Sequence, residues 1–349
     1  MKNQAKINTL NNQIVLVCGG AGFIGSNFIR RLLSRYSKVK IINFDKLTYS
    51  GNLGNLKEIS KDPRYFFMKG DIADQKALET VFKKYKPNYI INFAAESHVD
   101  KSIHGNLSDF INTNIYGVFN LLELLKKYKG IKKFVQISTD EVYGSLSLDS
   151  GDIFTEDHPV RPNSPYAATK ASGDLLCRSY FTTWDLPIVV THSSNNYGPY
   201  QYPEKLIPFF ISRMLEGKKL PIYGDGKNVR DWIYVEDNCV ALEACLLRGR
   251  VGEIYNIGGD NLKNNLEIAR MILKYFGKGE SFIEFVQDRP GHDKKYAVSS
   301  KKIKKELGWK AKYEFEKSFI KTIIWYIGNK SWVDKLKGKI NSFNPHILK

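Results

Sequence analysis

A chain of 349 residues, 42% of them hydrophobic, can bury one large α/β core or two smaller ones. No apolar run reaches the length that crosses a bilayer, and the polar stretch Met1–Asn12 lacks the apolar centre of a signal peptide, so neither a membrane span nor a signal peptide is expected and a cytoplasmic location is. The formal charge of +17 would suit an anionic partner, but the lysines are scattered, thicken only from Lys294 to Lys349, and form no aromatic-interleaved basic strand, so solvated surface is expected rather than nucleic-acid binding.

Met1–Asn12 reads as a loose extension before the first strand. Strand and helix signals then alternate as in a doubly wound, Rossmann-like parallel sheet. Expected strands are Ile14–Cys18, Lys40–Asp45, Tyr65–Lys69, Tyr89–Phe93, Lys133–Ser138 and Ile188–His192. Expected helices include Ser108–Lys127 and Tyr166–Thr183. After Asn195 the pattern shifts to Pro, Gly and Tyr clusters, which predicts a smaller, mixed α/β domain. The division expected is 1–193 for the nucleotide-binding domain, with 230–260 returning to it; 194–229 and 261–330 for a substrate domain; and 331–349 as a basic tail. The returning segment holds a helix pattern at Tyr234–Leu247 and a strand at Glu253–Ile257. Further helix patterns lie at Leu266–Phe276, Lys301–Leu307 and Phe315–Ile327. The four cysteines, Cys18, Cys177, Cys239 and Cys245, lack C-x-x-C spacing and read as reduced, buried thiols with no metal site.

The segment Gly19-Gly20-Ala21-Gly22-Phe23-Ile24-Gly25 follows the first strand and opens a helix. Gly19 permits a tight turn, Gly22 a close approach of backbone to a pyrophosphate, and Gly25 close packing of helix on strand, with the helix N-terminus facing the anion. Asp45 ends the second strand, 20 residues beyond Gly25, where an acid binds ribose hydroxyls and repels a 2′-phosphate. NAD is therefore expected over NADP, although Lys46 beside it works slightly against that preference. Asp71-Ile72 follows the third strand and suits either adenine contact or a helix N-cap.

Ser138-Thr139-Asp140-Glu141-Val142-Tyr143-Gly144 follows the apolar strand Phe134–Ile137 and places a hydroxyl and two carboxyls where parallel sheets carry their chemistry. Ser164-Pro165-Tyr166 reads as N-cap, N1 and N2 of a helix, and Lys170 lies four residues after Tyr166 on the same face. Lowering a tyrosine pKa by about 3 units takes roughly 4 kcal/mol. One ammonium about 4 Å away supplies that at an effective dielectric near 20, and oxidised nicotinamide adds a second positive charge. The pair can thus deprotonate an alcohol.

The segments G-G-A-G-F-I-G-S, F-A-A-E-S-H-V-D-K-S, S-T-D-E-V-Y-G, S-P-Y-A-A-T-K-A, S-N-N-Y-G-P-Y, P-E-K-L-I-P and G-D-G-K-N-V-R-D-W occur in one order. Together they resemble the extended short-chain dehydrogenase/reductases, and within them the dTDP-glucose 4,6-dehydratase family, over nearly the whole chain. Thr139-Asp140-Glu141 is the most specific element, because relatives that only epimerise or decarboxylate a sugar typically lack the full triplet. The resemblance implies an NAD-dependent hydro-lyase of deoxysugar biosynthesis that makes dTDP-4-keto-6-deoxy-D-glucose. Tyr166 takes the C4 hydroxyl proton, which Thr139 hydrogen-bonds, while C4 hydride passes to NAD. Glu141 removes the C5 proton, Asp140 protonates the departing C6 hydroxyl, and hydride returns to C6. For both carboxyls to face one sugar, the strand must end near Ser138.

The resemblance further assigns Gly19, Gly22, Phe23, Ile24, Gly25, Asp45, Lys46, Thr48, Asp71, Ile72, Ala94, Ala95, Glu96, Thr113, Tyr166, Lys170 and Asn196 to the cofactor. It assigns Ser97, His98, Thr139, Asn195, Lys205, Leu206, Pro221, Tyr223, Arg230, Asn265, Arg289 and His292 to the nucleotide sugar, His98 being equally readable as a structural histidine. A homodimer through the helices Ser108–Lys127 and Tyr166–Thr183 is implied as well. Another nucleotide-sugar dehydratase or epimerase of this fold is the alternative. Three departures stand out: Cys18 for the usual Thr, His192-Ser193 for the commoner Asn or Arg followed by Cys, and Lys294-Lys295 for an Arg pair, which loses bidentate geometry.

Overall fold

Six apolar runs in the first half, largely buried, form parallel strands, as expected where helices cover both faces of a sheet. They are β1 (Ile14–Cys18), β2 (Lys40–Asp45), β3 (Tyr65–Lys69), β4 (Tyr89–Asn92), β5 (Lys133–Thr139) and β6 (Ile188–Ser193). The computed structural model describes residues 9–340. Residues 1–8 of the expected extension and 341–349 of the expected tail lie outside them. Between the strands run α1 (Phe23–Arg35), α2 (Gln75–Tyr85), α3 (Val99–His104), α4 (Leu107–Ile111), α5 (Gly117–Lys127) and α6 (Pro165–Trp184).

The helix predicted over Ser108–Lys127 is interrupted: Asn112–Tyr116 forms a π-type turn between α4 and α5. The widened turn aims Asn114 inward, and such bulges re-aim side chains in this way. Its amide accepts from the Glu96 backbone N–H and donates to the Glu96 carbonyl and the Thr169 hydroxyl, each at 3.0 Å. The loop after β4 is thereby tied to α6.

The second half contributes β7 (Asn195–Tyr197), α7 (Leu206–Leu215), β8 (Leu220–Tyr223), β9 (Val229–Tyr234), α8 (Val235–Arg248), β10 (Ile254–Ile257), β11 (Leu262–Asn264), α9 (Asn265–Tyr275), β12 (Ile283–Val286), α10 (Lys301–Leu307), α11 (Phe315–Gly328) and α12 (Lys330–Ile340). The large sheet has the order β10-β6-β5-β4-β1-β2-β3, all parallel, and its strand order reverses between β1 and β4. A crevice opens at the carboxyl ends there. Within 230–260, β10 joins this sheet and Leu242 and Leu246 of α8 enter its core, whereas β9 pairs with β7 and β11 in a separate three-stranded sheet. Ile303 and Leu307 of α10 also pack into the first core, because the face they form is completed by Tyr255 and Leu246. A second core joins α7, β8, β9, α9 and α11.

The expected basic tail begins as a helix. Val333 of α12 is buried in the second core, Leu336 packs near Tyr202 and Tyr49, and Trp332 Nε1 donates to Asn55 Oδ1 at 3.0 Å. The apolar residues at 332, 333 and 336 share one helical face, a pattern hidden by Asp334 and Lys335 between them and the lysines around them.

Candidate active site

The turn after β1 has little freedom. Gly19 has φ +75°, and a Cβ there would lie 2.5 Å from the Ala94 backbone nitrogen. Gly22 caps α1 without offering a side-chain acceptor, so the first N–H groups of the helix face the cavity that Gly19, Gly22, Phe23, Ile24 and Gly25 line. Such a terminus holds an anion without a counter-charge from a side chain. Asp45, at the end of β2, accepts from the Ala21 and Leu47 N–H groups, both at 2.8 Å. Burial pushes its carboxyl up while these two bonds pull it down. Each oxygen retains acceptor capacity for a hydroxyl. Lys46 lies 2.6 Å from Asp71 Oδ2, and the N-cap of α2 is Asp74, so Asp71 does not cap that helix. Thr48, Asp71, Ile72, Ala94, Ala95, Glu96 and Thr113 complete the wall beside Asp45 and Lys46.

At the carboxyl end of β5 the strand runs one residue further than expected. Thr139 is still extended, and Asp140–Tyr143 then turn as a 3₁₀ helix whose Glu141 N–H meets the Thr139 hydroxyl at 3.4 Å. The turn replaces strand alternation with helical spacing, so Thr139, Asp140 and Glu141 line the same cavity as Tyr166, Lys170 and Asn196. Ser164 caps α6 through the Ala167 N–H at 3.1 Å and Pro165 opens it, which sets Tyr166 in the first turn with its ring edge-on to Phe110. Lys170 donates to the Ile137 carbonyl at 2.6 Å.

The electrostatics of this pair differ from the sequence-based argument. Burial first, then Glu141 and Asp140, push the Tyr166 phenol well above its usual range, with the Thr139 hydroxyl pulling down. Burial also lowers Lys170. The ammonium's pull is outweighed because desolvation and two carboxyls act on the same phenol. The protein alone thus keeps Tyr166 protonated.

A second cavity adjoins the first, sharing Ser97, Glu141, Asn195, Glu204 and Lys205. Its walls carry His98, Leu206, Pro221, Tyr223, Arg230, Asn265, Arg289 and His292. Arg230 is buried over the Tyr296 ring, with its fork held by the Val229 and Asp293 carbonyls at 2.8 and 2.9 Å. Arg289 lies 3.5 Å from Asp100, and Lys205 donates to the Ser97 carbonyl at 3.0 Å. His98 Nδ1 caps α3 by accepting from the Lys101 N–H at 3.2 Å, while burial and Lys205 push the ring down to about 3. It is therefore both a structural cap and a neutral wall residue. His292, beside Asp288, is pushed down to about 4 by burial and Arg289. The residues assigned from sequence thus lie along three adjoining cavities, the one beside Asp45 sharing Gly19, Gly22 and Ala95 with the first.

The family profile described as GDP-mannose 4,6 dehydratase matches residues 16–322. The dTDP-glucose 4,6-dehydratase of Neisseria meningitidis serogroup B is 48% identical over 337 residues, covering 91% of this chain and 94% of that one. The crystal structure of the Bacillus anthracis dTDP-glucose 4,6-dehydratase in complex with NAD is 51% identical, covers 93% of this chain and 99% of its own, and superposes with a TM-score of 0.87. The chain belongs to the dTDP-glucose 4,6-dehydratase family. DesIV from Streptomyces venezuelae, a member solved with NAD bound, is 45% identical with a TM-score of 0.88, covering 93% and 99% of the two chains.

In this dehydratase-family chain the two adjacent carboxyls have different surroundings. Asp140 is buried, one of its oxygens has no hydrogen-bond partner, and burial, Glu141 and Asp231 push it well above the carboxylate range against Arg230. Glu141 is raised by burial as well, but Arg289, Arg230 and Lys205 all hold it down. The difference favours a neutral Asp140 beside an ionised Glu141.

Several wall residues escaped the sequence reading. Glu204, which burial pushes up to about 7, stands next to Lys205 inside the P-E-K-L-I-P segment and was visible there. Tyr49 and Ser50 occupy a loop with no sequence signal, and the Tyr49 ring is placed by an edge contact with Tyr202 at 5.4 Å. Tyr296 owes its place to long-range pairing, its N–H meeting the Val229 carbonyl at 3.1 Å, whereas Asp100 lies on α3 within the F-A-A-E-S-H-V-D-K-S segment and was visible there.

Proposed function

We propose that this protein converts dTDP-glucose to dTDP-4-keto-6-deoxy-D-glucose with NAD as cofactor, using Thr139, Asp140, Glu141, Tyr166 and Lys170. One observation carries the assignment of these residues: Glu141 lines both cavities, so the carboxyl pair sits where a dinucleotide in one meets a sugar in the other. NAD held between the Gly19–Gly25 turn and Asp45 accepts a hydride and later gives it back. With the positive charge of oxidised nicotinamide added to that of Lys170, Tyr166 ionises and takes the C4 hydroxyl proton, which the Thr139 hydroxyl hydrogen-bonds. The resulting C4 ketone acidifies C5–H, and the Glu141 carboxylate removes that proton. Neutral Asp140 gives its proton to the C6 oxygen, which leaves as water. C5 is then reprotonated, so one water is lost and redox state is conserved. In the second cavity Arg230, with its fixed fork, and Arg289 bind the diphosphate.

The test is dTDP-glucose carrying deuterium at C4. The product should be lighter by one water and carry the label at C6. Stoichiometric release of reduced cofactor, with no water lost, would instead identify a plain dehydrogenase.

Asp45 provides a second check. Its carboxylate repels a 2′-phosphate, so Asp45→Ala should weaken NAD binding by about tenfold, equivalent to about 1.4 kcal/mol, and narrow the preference over NADP in a fluorescence titration. Tighter binding of NADP than NAD by the unaltered protein would contradict this role.

The homodimer belongs to the same proposal. Leu107, Ile111, Tyr116 and Phe119, on α4, the π turn and α5, and Leu175 and Trp184 on α6 are exposed apolar side chains on the helices through which relatives of this kind are expected to pair. Light scattering should give twice the mass of one chain, and Leu175→Glu should shift it to a monomer. A monomeric unaltered protein would remove the proposal.

A further inference from the structure

Behind Tyr166 and Lys170 lies a buried polar cluster that the steps above leave unused. Asp174 sits one turn after Lys170 on α6. Its Oδ2 accepts the Ser138 hydroxyl at 2.6 Å and lies 3.2 Å from Nε2 of His192, which is the register partner of Ser138 on β6. His192 is 1% exposed and Asp174 6%. The other ring nitrogen, Nδ1, lies 2.8 Å from the Tyr143 hydroxyl.

The hydrogen-bond directions can be counted. The Asn256 side-chain nitrogen donates to the Phe154 carbonyl at 3.3 Å, which turns its Oδ1 toward Tyr143. Tyr143 gives its single hydroxyl proton to that oxygen at 2.9 Å. The Tyr143 oxygen must then accept from His192, so Nδ1 carries a hydrogen. A neutral imidazole has only one N–H, and Nε2 would face the carboxylate oxygen lone pair to lone pair. One more proton is required between them. Asp174 Oδ1 is buried without a hydrogen-bond partner, so a proton carried there would have no acceptor, whereas Oδ2 already gathers donors. A proton on Oδ2 would satisfy the same count, but imidazole is a far stronger base than a carboxylate, so the proton belongs on Nε2.

We propose that His192 and Asp174 form a buried imidazolium–carboxylate pair that acts as a positioning element for the alcohol-oxidising step, compensating the carboxylate that stands behind Lys170 and Tyr166. This rests on the reading of Tyr166 as the base. The Asp174 charge opposes ionisation of Tyr166 and favours the Lys170 ammonium. A cation at His192 offsets the first effect, making the phenol easier to deprotonate. The other titratable groups around the pair are Tyr166, Lys170 and Cys177 on α6, Tyr143 and Asp140 on the turn after β5, and Glu156, which accepts the Asn256 N–H. Of these Lys170 alone is cationic, and it is held by the Ile137 carbonyl.

The experiment uses the full-length holoenzyme labelled with ¹⁵N-histidine, with the His192 ring assigned by its loss in His192→Asn. Two ring N–H groups at neutral pH are expected; a neutral imidazole with a single N–H, whatever the state of Asp174, overturns the pair. The kinetic arm follows kcat against pH. Because asparagine is smaller than histidine and keeps a polar amide in this buried cluster, His192→Asn should fold, with KM for the sugar nucleotide within about twofold. Its rising limb should move by about one unit to higher pH. Adding Asp174→Asn should bring the limb back, since the uncompensated charge is then gone. A limb that stays in place in His192→Asn ends the positioning role even if the imidazolium is seen. Failure of Tyr166 as base would appear separately, as retained oxidation in Tyr166→Phe, and would leave the ring protonation readout untouched.

Discussion

Tyr166→Phe is expected to abolish oxidation of the sugar while leaving the fold and the binding of both ligands in place. The ring packs edge-on to Phe110 and is buried, so phenylalanine retains that contact. What is lost is the one phenol oxygen beside the Thr139 hydroxyl. General-base catalysis contributes about 10²- to 10⁴-fold, and a step without its base should fall by at least the lower figure. In a single-turnover mixture no reduced-nicotinamide absorbance should appear when dTDP-glucose is added. The sign of the pH dependence follows from the direction of the shift. Tyr166 is raised by burial and by Glu141 and Asp140, and it works only when deprotonated. Its activity is therefore present above its folded-state pKa and lost as pH falls through it, which is the rising limb of kcat. Rapid formation of reduced nicotinamide in Tyr166→Phe would show that another group takes the C4 proton.

Asp140→Asn should fail later and in the opposite pH sense. Tyr166 and Lys170 remain, so oxidation proceeds, but the acid for the C6 oxygen is gone. Reduced nicotinamide should build up on the enzyme, with turnover lower by about 10²-fold or more. Asp140 is raised by burial, Glu141 and Asp231, and it works only when protonated. Its contribution is present below its folded-state pKa and lost as pH rises through it, so the falling limb should disappear in Asp140→Asn. Glu141→Gln separates the two carboxyls. It keeps the cavity wall and permits some oxidation, but deuterium uptake at C5 from heavy water should drop, because the carboxylate whose ionised form Arg289, Arg230 and Lys205 favour is absent. If Asp140→Asn binds substrate yet accumulates no reduced nicotinamide, Asp140 acts before elimination. Exchange at C5 at the unaltered rate in Glu141→Gln would remove Glu141 as the base.

Much of this molecule is legible in one dimension because its local order is periodic. A buried parallel strand is a continuous apolar run, so β1, β2 and β3 can be read to the residue, and β5 ends one residue beyond its expected limit. Tyr166 and Lys170 share a face because they are four residues apart on a helix, and Ser164-Pro165 marks where that helix starts. The glycines of the first turn announce a strand-to-helix connection by their spacing alone.

Other features come into being only when distant segments meet. The π turn at Asn112–Tyr116 exists because Asn114 must reach Glu96 and Thr169, and nothing in the helical pattern of that stretch records those partners. α12 shows its apolar face only once the second core, Tyr49, Tyr202 and Asn55 are in place. Adjacent in sequence, Asp140 and Glu141 look alike; it is Arg289 and Lys205, brought from the second half of the chain, that pull on Glu141 beyond the Arg230 pull the two share. The same holds for Tyr166, whose phenol is raised where local spacing to Lys170 argued for lowering, and for His192, whose second proton follows from Asp174, Tyr143 and Asn256. Backbone geometry repeats along the chain and leaves its period in the sequence, but the potential and the hydrogen-bond count at a buried group are sums over whatever neighbours the topology delivers, and those sums exist only in the folded chain.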